Sequence, residues 1–543
     1  MTGFEPPIFE CADCPELRGE SRAYPVAIIG AGPVGLVAAV DLAMKGVPVV
    51  VLDDKNTLSD GSRAICWAKR TLEICDRLGL GDRLVDKGVT WNTGKVYLGD
   101  EEIYEFDLLP EPDHKRPAFI NLQQYYFEHT MIERAAELPE VEIRWQHQAT
   151  DIRPGADGVR VSVTTPRGDY ALDADWLIAA DGVRSTARRV LGFDFEGRIF
   201  RDRFLITDIR MKADLPAIRR FWFNPTFHDG QSTLLHKQAD DVWRVDFQLD
   251  WDADPEHEKD PRRVKRRLRR MLGEVDFEIL WTSVYTFTCR RIDHFRHGRV
   301  LFAGDSAHVI SPFGARGGNG GIQDADNLVW KLALVLEGRA PEGLLDSYDH
   351  ERTRAADENN LNSTRSTDFM TPKTRVSRAF RDAVLDLARE HAFARRLVNS
   401  GRLSTPATYR DSPLSTPDVD DFAGDLVPGA PCADAPVTTG ERREGWLLDH
   451  LGGGFVLLRF AGDTSSAEAR RQLAGHDGPE PPVRVLSIGQ DLEEVRGVMG
   501  SRYDARDGTC YLIRPDQHIA ARWRRFDPNA VRQALDRAVG RHP

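Results

Sequence analysis

Three aspartates and two glycine-rich stretches carry the chemistry that is legible in this chain. Asp53 ends the segment PVAIIGAGPVGLVAAVDLAMKGVPVVVLDD, in which Gly30, Gly32 and Gly35 stand at GxGxxG spacing. Glycines so spaced permit a tight turn, the approach of backbone to a pyrophosphate and close helix–strand packing. An acid about twenty residues further on suits a ribose hydroxyl. With no basic residue in its place, Asp53 points to the unphosphorylated ribose of FAD or NAD rather than NADP. Asp181 and Asp305 each follow an apolar run, in DADWLIAADGVRSTARRVLG and in GRVLFAGDSAH. The second glycine stretch, PFGARGGNGGIQDADN from Pro312 to Asn327, has glycine at five of its first ten positions. Glycine costs chain entropy, so such a cluster implies tight turns or close contact with a ligand.

The elements that must position these residues read as follows. Val26–Ile29, Val49–Leu52, Trp176–Ala180 and Val300–Ala303 are short apolar runs expected as buried strands. Ile322, Ala325, Val329, Leu332, Ala333 and Leu336 recur at helical spacing, which puts the glycine loop at a helix N-terminus, where free N–H groups favour negative charge. FLITDIRM, RRFWFNPTF, STLLHKQ and VWRVDFQLDW alternate as strands of an antiparallel sheet, expected to roof a pocket. Phe221, Phe223, His236 and Arg244 are its candidate lining residues. His236 could polarise a phenol, and Arg244 or Arg316 could meet a carboxylate. Alternation defines two faces of each strand without saying which is inward. RRVKRRLRRML reads as an amphipathic surface helix with a solvated basic face.

The motifs occur in the order GxGxxG, DG, GD, then a proline and a glycine loop, then the helix DADNLVWKLALVL. In this the chain resembles the single-component flavoprotein aromatic hydroxylases, the fold group of para-hydroxybenzoate hydroxylase, over most of residues 24–370. It departs in the loop, where Ala315, Arg316 and Gly318 replace the family's Gly, Gln and Met. The resemblance implies that Gly30, Gly32 and Gly35 hold the FAD pyrophosphate and Asp53 the adenosine ribose. It implies further that Arg63 lies near the FAD phosphates, Gln123 near the ribityl–phosphate region, Asp181 near FAD and the NADPH path, and Asp305 on a ribityl hydroxyl. Gly317, Gly318 and Asn319 would crowd the flavin's pyrimidine edge, with Pro312 and Arg316 at the reacting centre. The implied activity is an O2-dependent monooxygenase using NADPH or NADH as transient co-substrate and hydroxylating an aromatic substrate through a flavin C4a-hydroperoxide. The absence of a second GxGxxG fits a nicotinamide cofactor that binds only transiently.

The expected fold class is α/β: a Rossmann-like FAD-binding domain, an inserted antiparallel-sheet substrate domain and a C-terminal thioredoxin-like domain. The expected boundaries are a tail (1–23), FAD-binding parts (24–92, 118–194 and 285–345), substrate-domain parts (93–117 and 195–284), a helical segment (346–402), a linker (403–436) and the C-terminal domain (437–543). YLIRPDQHIAARW in that last part resembles the branch containing phenol hydroxylase, 3-(3-hydroxyphenyl)propionate hydroxylase and aromatic polyketide hydroxylases. It lacks CxxC, so the domain is expected to be structural or an oligomer contact, with a homodimer as one outcome. A formal net charge of −12 over 543 residues argues against nucleic acid as partner, and no apolar run is long enough for a membrane span. Seven scattered cysteines suit reduced thiols and a cytoplasmic setting. CADC at 11–14 has zinc-like spacing but no second pair to complete a metal site. A halogenase, epoxidase or oxidase on the same scaffold, or a flavin sensor, remain alternatives; FWFNP is not the halogenase WxWxIP motif.

Overall fold

Val26, Ala27, Ile28 and Val50–Leu52 are wholly buried, as expected of central strands covered by helices on both faces. A computed structural model describes residues 4–59, 61, 63–228, 230–398, 404–440, 443–473 and 482–541. The first three residues of the expected tail and the first of the expected linker lie outside that range. Strands Ala23–Ile29, Val49–Asp53, Gly168–Ala179 and Val141–Trp145 form the parallel heart of the first sheet, extended by Val300–Phe302. Helix Pro33–Met44 packs on it, and the longer helix Gly317–Leu336, the loop helix below, packs on that helix. This is the Rossmann-like domain.

A second eight-stranded sheet is built by Glu196–Arg210, Arg219–Phe223, Thr233–Lys237, Val242–Leu249 and Glu278–Arg291, joined by Thr93–Leu98, Glu101–Asp107 and the short His308–Val309. Its outer face carries Leu205, Ile209, Trp243, Val245 and Phe247, covered by Val264 and Leu268 of helix Pro261–Leu272. Its inner face carries Phe204, Phe223, Leu234 and Val96 and closes on the glycine loop, where the Phe204 and Phe313 rings meet at 5.1 Å, nearly perpendicular. The period of two therefore sorts these strands into an apolar outer face and an inner face that mixes aromatic, apolar and charged residues.

The C-terminal sheet has a thioredoxin-like centre, with Phe455–Phe460 between the parallel Val483–Ile488 and the antiparallel Cys510–Ile513. It docks on the loop helix through a buried ion network. Glu351 accepts from Lys331 Nζ at 2.8 Å and from Arg514 at 2.6 and 3.0 Å, and Arg514 also pairs with Asp516. Against the desolvation that would raise it, Arg514 and Lys331 hold the Glu351 carboxyl far below the usual range. Burial pulls the Lys331 ammonium down to about 8.

Two segments expected as irregular are more engaged than a tail and a linker need be. Phe9 stacks on Trp145 at 4.2 Å, and Glu16 is buried against Arg144 at 3.0 Å, because apolar and charged groups in the first twenty residues find partners on the sheet edge. Within 403–436, Tyr409 donates no helix or strand but is buried, its hydroxyl 2.8 Å from Arg352 Nη1, and Ser412 donates to Glu351 at 2.5 Å. Glu351→Gln leaves two buried cations short of a counter-charge and should cost about 3–5 kcal/mol. A thermal melt of the variant beside the parent checks this, with the lowered midpoint as the expected outcome.

Candidate functional site

The glycine turn is dictated by close contacts. Gly30 has φ +103°, and a Cβ there would stand 2.5 Å from the Ala180 carbonyl oxygen. A Cβ on Gly35 would stand 1.9 Å from the Gly30 carbonyl oxygen, so helix and turn could not close with a side chain. Gly32 differs: it caps helix Pro33–Met44 with no side-chain bond, and a Cβ there would meet no protein atom within 4 Å. It is a cradle open on the side where the helix N–H groups point. Asp53 holds the turn, accepting from Ala31 N at 2.7 Å and Lys55 N at 2.9 Å, and burial raises its carboxyl above the usual value.

The Gly304 turn and the first turns of helix Gly317–Leu336 close on the start of helix Pro33–Met44. Val34, in the first turn of helix Pro33–Met44, lies against Gly304 and Gly321: a Cβ would come within 2.9 Å of it at the first and 2.6 Å at the second. Two helix N-termini and the Gly304–Ser306 turn thus converge. Ala315 adopts φ +52°, a strained choice for a residue with a side chain, and Gly314 has φ +98°, with the Arg316 guanidinium in the space a Cβ would take. Arg316 is buried and donates to Phe313 O at 3.1 Å, whereas Pro312 is exposed. Gly317 is open to 4 Å, and Gly318 lies against Trp67 and Ala64. Asn319 spends its amide on the protein: its oxygen accepts from Ala68 N at 2.8 Å and Thr71 Oγ1 at 2.6 Å, and its nitrogen donates to Cys66 O at 2.8 Å and Ala315 O at 2.5 Å.

Asp305 sits in the Gly304–Ser306 turn, raised by burial and lowered in part by the nearby charges of His308 and Arg63. Arg63 itself is exposed. Asp181 accepts from Ala187 N at 3.1 Å through one oxygen, while its other oxygen is buried without a partner. Gln123 likewise donates to Ala239 O at 3.0 Å and leaves its buried carbonyl oxygen unpaired. Orphaned buried oxygens of this kind are rare in folded proteins unless a ligand pairs with them. Together with the open faces of Gly32 and Gly317, they fit a bound dinucleotide running from the GxGxxG turn to the loop.

The inner face of the second sheet gathers all four predicted lining residues. Phe221 and Phe223 meet edge to face at 4.5 Å and occupy its apolar end. His236 lies directly across from Arg244 in the strand register and diagonally from Asp246, whose Oδ2 is 3.9 Å from His236 Nε2. Arg244 is already matched by a bidentate pair with Asp208, both bonds 2.8 Å. Desolvation, reinforced by the charges of Arg219 and Arg244, holds the His236 imidazole well below its ordinary pKa, so it is neutral. Burial pushes the Asp246 carboxyl up to about 6. His236 Nδ1, Asp246 Oδ1 and Gln238 Oε1 are all buried and without partners.

Sequence reasoning missed Arg219, Asp246 and Tyr285. Arg219 shares parity with Phe221 and Phe223, and Asp246 with Arg244, so a choice of inward face would have found both. Arg219 has no acidic partner among the described residues and feels the charge of Asp246. Tyr285, next to Phe204 in the register, is pushed up to about 12 by burial, with Asp305 adding to the rise. Its sequence neighbours gave no signal, since Tyr is common in strands.

Comparison with known proteins fits this geometry. Residues 23–363 match the FAD binding domain family, and residues 425–542 match the aromatic-ring hydroxylase C-terminal family. The 6-methylpretetramide 4-monooxygenase of Streptomyces rimosus is 33% identical over 93% of this chain and 92% of its own length. The 3-(3-hydroxy-phenyl)propionate/3-hydroxycinnamic acid hydroxylase of Klebsiella pneumoniae is 30% identical over 91% of each. Among solved structures, the flavin-dependent monooxygenase PieE in complex with FAD and substrate shares the fold at TM-score 0.82 and 24% identity, over 96% of this chain and 100% of its own. The anhydrotetracycline hydroxylase OxyS of Streptomyces rimosus superposes at TM-score 0.72 with 27% identity, over 96% of this chain and 99% of its own. With both family models and relatives of full length in agreement with the two converging helix ends, the chain belongs to the FAD-dependent aromatic-ring hydroxylases.

Proposed function

We propose that this monooxygenase hydroxylates a phenolic ring of a polycyclic, oxygen-rich substrate of the aromatic polyketide class. The observation that carries the reading is the polar row on the inner face of the second sheet, where Arg244 is matched to Asp208 and His236 Nδ1 and Asp246 Oδ1 are left without partners. Arg219, His236, Arg244 and Asp208 lie on four adjacent strands, three strand intervals of roughly 4.8 Å each, so the row spans about 14 Å. A single phenol ring cannot reach along such a row, and a fused ring system edged with oxygens can. The reading is supported by the 6-methylpretetramide 4-monooxygenase likeness. A homodimer and a cytoplasmic setting belong to the same reading, as does the division of the chain into the nine segments given above.

Bound FAD supplies reduction by NAD(P)H and activation of dioxygen, one oxygen atom entering the ring and the other leaving as water. In this reading Gly30, Gly32 and Gly35 receive the pyrophosphate, Asp53 fixes the turn beside the ribose, and Asp181, Gln123 and Asp305 bind along the ribityl chain, with Arg63 beside the phosphates. The N–H groups at Gly317, Gly318 and Asn319 give a positive field at the loop. Phe221, Phe223 and Phe313 exclude water from the ring. His236 accepts the phenol proton at Nδ1 as a neutral imidazole, and the Asp246 carboxylate steadies the resulting charge. Arg219 takes an anionic oxygen at the substrate's far edge.

Three measurements test this. Gly32→Ala adds a methyl that touches no protein atom, so the apoprotein should melt as the parent does while FAD affinity falls tenfold or more, read by flavin retained per chain. Anaerobic stopped-flow reduction by NADPH and NADH should be accelerated at least tenfold more by polycyclic polyketide phenols than by phenol or 3-(3-hydroxyphenyl)propionate; the reverse order overturns the substrate class. Lowering the pH through about 6 protonates Asp246 and removes the charge that favours proton uptake by His236, so product formation should fall on the acid side. Asp246→Asn should lower the plateau and flatten that limb, and His236→Gln should cut product formation by about 100-fold or more while leaving FAD content unchanged.

A further inference from the structure

Cys66 is the residue at which the glycine loop and the charged row of the second sheet come together. It opens the short strand Cys66–Ala68, which pairs with Phe119–Asn121. On one side its carbonyl oxygen accepts from Asn319 Nδ2 at 2.8 Å. There it packs, with Ala315, against the cluster of Ala68, Trp91, Ala118 and Phe119. On the other side the strand pair is tied to the sheet. Asn121, directly across from Cys66 in the register, donates from Nδ2 to the Lys237 carbonyl oxygen at 2.8 Å, one residue beyond His236. Arg219 stands over the Trp91 ring of the same cluster at 6.0 Å. The charges of Arg219, Arg244 and Asp246 all act on the thiol.

A buried cysteine is most often a small apolar filler. Cys66 differs in two respects. Cys14, Cys75, Cys289, Cys432 and Cys510 are buried, whereas Cys66 keeps accessible surface, yet desolvation pushes its thiol up to about 11. Accessible surface on a group so closely surrounded by protein belongs to the wall of a recess. Second, the arginines that act on it also act on His236, which is 3% exposed and has Nδ1 without a partner. The thiol and the orphaned nitrogen therefore border one space. Leu108 and Leu109, also half-buried, continue the wall from Cys66. One side of the space is thus apolar and the other charged, which suits a flat ring system that rests its face on the first and turns its oxygens to the second.

We propose that the Cys66 side chain is the wall against which the ring to be hydroxylated rests, and that its small volume sets how large a ring system the site admits. The proposal rests on the substrate site of the reading above and adds a residue which that reading did not use. The backbone at 66 is held by Asn319 and by the pairing with Asn121, so a larger side chain there projects into the space instead of moving the wall.

Thiol labelling of the FAD-loaded full chain with methyl methanethiolsulfonate, followed by peptide mass spectrometry, is the test. The ligand is whichever compound accelerates flavin reduction most among phenol, 3-(3-hydroxyphenyl)propionate and alizarin, a fused-ring phenol. At saturation it should slow modification of Cys66 about tenfold or more and leave Cys11, the other thiol with accessible surface, unchanged. Cys66→Leu should raise the ligand's KM about tenfold or more, with the smaller change in kcat, whereas Cys66→Ser, of similar size, should stay within about threefold of the parent. Equal labelling of Cys66 with and without ligand overturns the proposal, as does an unchanged KM in Cys66→Leu. Protection by phenol, with no acceleration by alizarin, keeps the wall and sinks the polyketide class. Acceleration by alizarin without protection of Cys66 does the reverse.

Discussion

Four carboxylates and four cations buried around the loop helix hold the rest of the molecule in place. Asp324, Asp326, Glu351 and Asp516 face Arg70, Lys331, Arg352 and Arg514, all of them buried. Asp324 accepts from Arg352 at 2.6 Å, from the Gly304 backbone N–H at 2.9 Å and contacts His308 at 2.6 Å, which ties the helix to the turn carrying Asp305. Asp326 takes Arg70 at 3.2 Å and also Arg77, whose helix in turn meets the C-terminal domain through Pro515 and Asp516 carbonyls. Replacing such a set with apolar residues often leaves stability unchanged, because each charge loses its water. What the network adds is register: only one placement of the C-terminal domain on the helix satisfies every ion.

That register reaches the site through Asn319. Its four bonds lock the first turn of the helix to Cys66, Ala68, Thr71 and Ala315, so the loop cannot drift without breaking them. The strained Ala315 is affordable for the same reason, since a residue at positive φ persists only where neighbours over-determine it. From the other side Phe204 and Phe313 press the sheet on the loop. The C-terminal domain thus acts on the loop at a distance, as the far support of a rigid helix.

The parts of this arrangement with local causes were legible in the chain. GxGxxG with Asp53, the DG and GD turns and the glycine loop are short motifs whose residue types and spacing stand out in the chain, although Gly30 meets Ala180 and Gly304 and Gly321 meet Val34 only in the fold. The four residues offered as lining could be placed on strands, but the face they share could not, because alternation has two equivalent phases until something covers one of them. The cover of the outer face is helix Pro261–Leu272, whose Val264 and Leu268 stripe was visible; its docking partner was not. Long-range ion partners escaped entirely. Nothing near Glu351 in sequence names Arg514, 163 residues away, and the segment YLIRPDQHIAARW acquires a physical meaning only when Arg514, Asp516 and Gln517 are seen against the loop helix and Arg70.

The unpaired atoms on the sheet's inner face bear on the selectivity proposed for it. Each buried polar atom left unpaired costs about 1–3 kcal/mol, and His236 Nδ1, Asp246 Oδ1 and Gln238 Oε1 sit together without partners of their own. A fold with no use for them would have filled the face with leucine and valine, as the outer face of the same sheet is filled. The cost is recovered only when a ligand brings oxygens or hydroxyls to those atoms. A site built to hydrogen-bond a substrate rejects analogues lacking the matching group by as much as 10⁴–10⁵, whereas an apolar pocket separates substrates by little more than size. On the proposed reading, the charged row does for substrate choice what the ion network does for the domains: it spends stability to leave one arrangement satisfied.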